Sequence, residues 1–220
     1  MAEKTVQNYE LIVFDWDGTL ADSTTVIINS LCAACGDLGL PLPPRERARY
    51  VIGLGMQDSL NFIAPGLEPA QYLRLAERYR ERFLAQPTAL YDGSVQLLQT
   101  LADRGHGLAI ATGKSTRGLE RNLDELDLRK FFSAWRCADR CASKPAPDML
   151  IELMDELDVE AARTLMIGDT THDLQMARNA GVAALAVTHG AHDEAALRAL
   201  EPLACVSSTG EMEQWLTLNG

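Results

Sequence analysis

Residues 11–23 read LIVFDWDGTLADS. Four apolar residues, Leu11 to Phe14, run straight into two aspartates, Asp15 and Asp17, and then into Gly18-Thr19. A short continuous apolar run bounded by turn residues is the pattern of a strand buried on both faces, as in a parallel sheet. Carboxylates are expensive to bring out of water, so two of them at the rim of such a strand need a compensating partner.

Further strand candidates follow at residues 108–111, 134–137, 165–167 and 183–187, with a short one at 204–206. Helical stretches of roughly ten to fifteen residues separate the later ones, which is the βαβ signature of a sheet covered on both faces. Gly105 and Gly181 each stand just past a helical pattern, the usual stop signal. Pro147 and Asp148 suit the first turn of another helix. The fold class read from this pattern is α/β, a Rossmann-like doubly wound parallel sheet.

One interval breaks the alternation. Residues 20–91 hold no convincing strand, but TTVIINSLCAAC, MQDSLNFI and EPAQYLRLAERYRERFLAQP all show helical spacing, punctuated by Pro and Gly. This segment reads as an inserted helical cap domain, with residues 1–19 and 92–220 forming the α/β core. Hinges are expected near residues 20–22 and 91–93.

The chain has 220 residues, 20 basic and 31 acidic, for a net charge of −11. That field repels phosphate backbones and argues against nucleic acid as a partner. No apolar run approaches the ~20 residues of a membrane helix. The start MAEKTVQNYE has neither a basic n-region nor an apolar h-region, so a cytoplasmic location is expected. Cys32-Ala-Ala-Cys35 has CxxC spacing, but it lies within a helical pattern and has no second Cys or His pair nearby. It reads as helix packing.

In an open parallel sheet, ligands bind beyond the carboxyl ends of the strands. Four such ends carry reactive groups, together four carboxylates, one ammonium and a hydroxyl: Asp15 and Asp17; Thr112 in the run Ala111-Thr112-Gly113-Lys114-Ser115; Lys144; and Asp169 with Asp173. Close carboxylates raise one another's pKa unless a cation neutralises them, and an oxygen-rich acidic site suits Mg²⁺. Competing motif readings fail on counting. An EF-hand loop from Asp15 would need Gly at Leu20 and Glu at Val26, and a Walker A loop ending at Lys114-Ser115 would need Gly at Leu108.

With DxDGT, an apolar run ending in Thr, Lys-Pro and GDTxxD in this order, the chain resembles the haloacid dehalogenase superfamily. Within it, the resemblance is to the helical-cap small-molecule phosphatases similar to phosphoglycolate phosphatase. It spans about residues 11–189. The resemblance implies a Mg²⁺-dependent enzyme hydrolysing a small phosphorylated metabolite, phosphoglycolate-like or a sugar phosphate. It makes Asp15 the nucleophile that forms an aspartyl-phosphate, and Asp17 the acid and then base. Asp15, the backbone carbonyl of Asp17 and Asp169 would hold Mg²⁺, with Asp173 supporting the metal's water or Lys144. Thr112 and Lys144, with backbone N–H groups around Trp16 and Gly113, would bind phosphoryl oxygens.

A carboxylate kept ionised by Mg²⁺ and Lys144 is a competent covalent nucleophile, and a second carboxyl two residues on can move a proton. The specificity loop is expected at Gly53, Leu54, Gly55, Met56 and Gln57. Arg45, Arg47 and Arg49 read either as anion contacts or as a solvated helix face. A receiver-like signalling domain lacks a long helical insertion, and a dehalogenase typically lacks the carboxylate at Asp17. A phosphomutase similar to β-phosphoglucomutase keeps all four motifs, but its cap usually presents a basic residue where this chain has Leu54, Met56 and Gln57. His172, His189 and His192 read as neighbours or rim residues.

Overall fold

The computed structural model of the chain describes residues 9–220. The run Leu11–Phe14 forms β1, with every residue buried. Parallel pairing extends the sheet on both sides, to β2 (Gly107–Thr112) in register Leu11↔Gly107 and to β4 (Thr164–Gly168) in register Leu11↔Thr164. With β3 (Ala134–Cys137), β5 (Ala183–Val187) and β6 (Cys205–Val206), the described residues make a six-stranded parallel sheet of order β3-β2-β1-β4-β5-β6. The α/β reading holds, and the strands lie within a residue or so of the sequence expectations.

Alternation along β1 divides the core. Ile12 and Phe14 join Leu97, Leu98 and Leu101 of α5 (Ser94–Asp103), with Leu119 and Leu123 of α6 (Thr116–Glu125), on one face. Leu11 and Val13 join Met149, Leu150 and Leu153 of α7 (Asp148–Leu157), with Met176 and Ala177 of α8 (Thr171–Asn179), on the other. The order reverses at β1: β2 and β3 build one way, and the chain then crosses back to place β4 on the other side. The crevice between β1 and β4 is the switch point at which such sheets take ligands.

Between β1 and β2 lie α1 (Thr24–Asp37), α2 (Arg45–Tyr50), α3 (Met56–Ile63) and α4 (Pro69–Leu84). They bury an apolar cluster of their own that includes Ile28, Leu31 and Cys35 of α1 with Leu60, Leu75 and Ala76. Cys35 is buried and Cys32 half-buried, both as free thiols, so the CxxC pair serves packing. Arg78 and Arg82 of α4 reach Asp37 at the end of α1. The two chain crossings between insert and sheet run side by side, with Asp22 N donating to Ala89 O and Tyr91 N to Leu20 O, both at 3.0 Å. Among the described residues no helix is long and apolar enough to cross a membrane.

Candidate active site

The carboxyl ends of β1, β2 and β4 lie at one edge of the sheet, and the loop after β3 brings Lys144 to the same place. Asp15 follows β1 directly, and its N–H donates to Ile167 O on β4, which fixes the backbone at the switch point. Asp169 follows β4, and Asp173 stands in the first turn of α8. All three carboxylates are buried, and each offers an oxygen within 4.8 Å of the other two.

Lys144, also buried, donates to Asp15 Oδ1 at 2.7 Å and to Asp173 Oδ1 at 2.6 Å. Asp173 closes a capping box, accepting on Oδ2 from Thr170 N and Thr170 Oγ1. Asp169 accepts from Thr19 Oγ1 at 2.9 Å and from Ala191 N at 2.7 Å. Asp15 Oδ2 is buried and has no hydrogen-bond partner among the described residues. Gly18 turns the chain here at φ +89°, where a Cβ would stand 2.2 Å from Asp169 Oδ2.

Three carboxylates against one ammonium leave the crevice short of positive charge. Burial pushes the Asp15 carboxyl up to about 7, with Lys144 opposing the shift and the charge of Asp173 adding to it. Asp169 is pushed well above the usual carboxylate range, first by burial and then by the charges of Asp15 and Asp173. Burial works against the Lys144 ammonium, but the charges of Asp15 and Asp173 outweigh it and hold its proton more tightly than in an ordinary lysine. The surplus negative charge, the oxygen-only donor set and the orphaned Asp15 Oδ2 fit a hard divalent cation such as Mg²⁺.

A pH dependence follows. Asp15 and Asp169 titrate higher folded than unfolded, so between about pH 4 and pH 7 the native state binds more protons. Without metal, the cluster's contribution to stability is expected to fall as pH rises through that window. Stabilisation by Mg²⁺ is expected to grow over the same range, because the metal needs ionised ligands. Melting curves of wild type and Asp169→Asn in chelator and in Mg²⁺ measure this. A metal-free gap between the two that does not widen toward pH 7 would contradict it.

Asp17 lies apart from the three. Its carboxylate accepts from Ser23 Oγ at 2.7 Å and from Lys114 Nζ at 3.0 and 3.1 Å. Thr112, at the end of β2, is buried and accepts from Lys114 N at 3.2 Å. Trp16 is buried, and its Nε1 has no partner among the described residues.

The expected specificity loop reaches the core. Gly55 N donates to Ser143 Oγ at 2.8 Å, and a Cβ on Gly113 would stand 2.4 Å from Leu54 O and 2.6 Å from Gly53 O. Gly113 is therefore the point where the backbone of the loop meets the backbone after β2. Gly113→Ala is expected to leave the fold intact and to displace the loop, lowering kcat/KM by about 10- to 100-fold, since misplacements near 1 Å carry costs of that order. Steady-state kinetics alongside a melting curve would show it, and unchanged kinetics would count against the loop's role. Met56 packs on the apolar cluster of the insert, and exposed Gln57 donates to Asn61 Oδ1 along α3.

Among the described contacts none of the three arginines bonds a carboxylate of the acidic trio, although Arg49 holds the segment whose Ala191 N–H reaches Asp169. Arg45 donates to Asn29 Oδ1, Arg47 to Phe62 O, and Arg49 to Ala191 O and Gly190 O. Two histidines join insert to core instead: Nε2 of His172 and of His192 stand 2.8 and 3.1 Å from Tyr50 O. His192 Nδ1 accepts from Thr171 N, which leaves the proton on Nε2 as donor. Burial lowers both imidazoles. His189 Nε2 lies 3.2 Å from Thr19 O, beside the Tyr91 ring.

Such a sheet, with a buried acidic crevice at its switch point and a helical insert between β1 and β2, is of the α/β class. The chain belongs to the haloacid dehalogenase-like hydrolase family, whose model matches residues 12–187. It is 36% identical to a protein of Dickeya dadantii described as "Probable phosphatase IndB", over 92% of this chain and 91% of that one. It is 32% identical to the phosphoglycolate phosphatase of Caulobacter vibrioides, over 85% and 82%. The solved structure of a hydrolase from Pseudomonas syringae has the same fold, at 24% identity and a TM-score of 0.86, covering 96% and 98%. By family and relatives it is a hydrolase of the phosphatase kind.

Proposed function

We propose that the chain is a Mg²⁺-dependent phosphatase that hydrolyses a small phosphorylated metabolite, phosphoglycolate-like or a sugar phosphate, through an aspartyl-phosphate. The observation that carries the reading is Asp15, a buried carboxylate with one oxygen tied to Lys144 and the other unpartnered, in a pocket that holds two more carboxylates. Asp15 and Asp169, with the backbone carbonyl of Asp17, would hold the metal. Asp173 would hold Lys144, as its 2.6 Å contact supports. When bound, Mg²⁺ supplies the positive charge the crevice lacks and a site for a phosphoryl oxygen.

An oxygen of Asp15 attacks phosphorus while the bond to the leaving oxygen breaks, and Asp17 delivers a proton to that oxygen. Asp17 then takes a proton from the water that attacks the phosphorylated Asp15, and the carboxylate is regenerated. Lys144, Thr112 and the N–H groups near Trp16 and Gly113 hold the phosphoryl oxygens, since such transfers depend mainly on positioning and charge.

Residues 20–91 act as the cap domain over a core of 1–19 and 92–220, hinging where the two crossings pair. The cap opens for substrate and closes to exclude water. Gly53 to Gln57 present no basic side chain, which supports hydrolysis over phosphomutase chemistry.

The test is phosphate release from a panel of phosphorylated metabolites, 2-phosphoglycolate and sugar phosphates included, with and without Mg²⁺. Metal-dependent release from a subset is the expected result. No release from any compound by folded, metal-stabilised protein would overturn the reading.

A further inference from the structure

Lys114 is the cation paired with Asp17, the residue read above as the proton donor. It follows Gly113 in the loop after β2, and its backbone N–H is tied to Thr112 Oγ1. Its side chain is 9% exposed and that of Asp17 is 11% exposed, so the pair lies inside the protein rather than on its surface. Nζ reaches Asp17 Oδ1 at 3.0 Å and Oδ2 at 3.1 Å. Oδ1 also accepts from Ser23 Oγ, which leaves Oδ2 the less engaged oxygen. The ammonium stands 4.5 Å above the ring of Phe83, contributed by α4 of the insert. Asp17, Lys114, Phe83 and Val26 together line a narrow opening. Val26 and Gln86 also line a separate pocket with Asn29 and Ser30 of α1 and Arg82 of α4. An acid that protonates a departing alcohol must face such an opening.

We propose that Lys114 is a positioning residue for the proton transfer. It holds Asp17 Oδ1, turns Oδ2 toward the leaving oxygen, and keeps the carboxylate out of the acidic trio. Phe83 sets the ammonium from above, so the insert must be seated before the acid is aligned. The proposal rests on the reading of Asp17 as the group that moves the proton.

The step balances. The P–O bond to Asp15 forms as the bond to the leaving oxygen breaks, and that oxygen's electron pair takes the proton from Asp17 Oδ2. The resulting carboxylate is held by both contacts to Lys114. In the second half Oδ2 takes a proton from the attacking water, and the bond between Asp15 and phosphorus breaks with its electron pair returning to Asp15.

The experiment compares kcat/KM for the best alkyl phosphate of the panel with that for p-nitrophenyl phosphate, whose phenolate leaves without a proton. Lys114→Met is expected to lose about 100-fold on the alkyl ester, the scale of general acid catalysis, and less than about 5-fold on the aryl ester. Lys114→Arg, which keeps a cation, is expected to recover most of the alkyl activity. Phe83→Ala is expected to show the same split at smaller size. If Lys114→Met does not fold, Lys114→Gln carries the same expectation, with Mg²⁺-dependent melting as the check on folding. Equal losses on both esters, with Asp17→Asn still showing the split, would overturn the role of Lys114 alone. No split in Asp17→Asn would bring down the reading of Asp17, and this proposal with it.

Discussion

Asp15→Asn is expected to abolish turnover and, in the absence of metal, to melt higher than the wild type. The loss should reach at least about 10⁴-fold in kcat, the scale seen when a covalent nucleophile is removed. The gain comes from the same pocket. Asp15, Asp169 and Asp173 share one ammonium, and burial raises the cost of each charge they carry. Asparagine is nearly isosteric and removes one of those charges, while Lys144 keeps Asp173 at 2.6 Å. Sites built for chemistry commonly give up stability in this way. Phosphate release and a melting curve in chelator check both halves. A variant that melts lower, or that still turns over, would count against a crevice short of positive charge with Asp15 as its nucleophile.

Lys144→Met should produce the largest loss of stability. Its ammonium is fully buried between Asp15 and Asp173. Removing one partner of a buried ionic group costs about 3–5 kcal/mol, because the remaining charges stay out of water without compensation. For a chain of this size that is a fall in Tm of about 6–20 °C. Mg²⁺ is expected to restore part of it, by returning positive charge to the same carboxylates. On the proposed role of Lys144 as a contact to the phosphoryl oxygens, activity should fall by about 10³-fold. Thermal melts with and without Mg²⁺ would measure the effect, and an unchanged Tm would show that the trio does not depend on this ammonium.

What could be read in the sequence was what is local. The run Leu11–Phe14 ends where a strand buried on both faces must end, and Asp15 stands at that end because chain direction in a parallel sheet puts it there. The trio was legible because each member sits one residue past a strand or in the helix turn that follows. Contacts between insert and core were not legible. The role of Lys114 was among them; it depends on Phe83 coming to 4.5 Å and on Asp17, 97 positions away, coming to 3.0 Å. Arg49 bonds carbonyls 141 and 142 positions away, and His172 reaches Tyr50 O across 122. No periodicity encodes such separations. The one available signal for Lys114 was its place directly after Thr112-Gly113 at a strand end.

The side-by-side crossings at Leu20–Asp22 and Ala89–Tyr91 bear on how the chain assembles. β1 and β2 are neighbours in the sheet although about 90 residues separate them, and closing a loop of that length carries an entropic cost that grows with the logarithm of length. The excursion leaves and returns at one point, held by two backbone hydrogen bonds. Once its helices have packed on their own apolar cluster, the ends of β1 and β2 are joined by what amounts to a connection of about 25 residues, α5 included. That lowers the closure cost by about 1 kcal/mol. A folded insert therefore helps the sheet to form, and inserts of other lengths could be exchanged at this junction with little effect on closing the central strands.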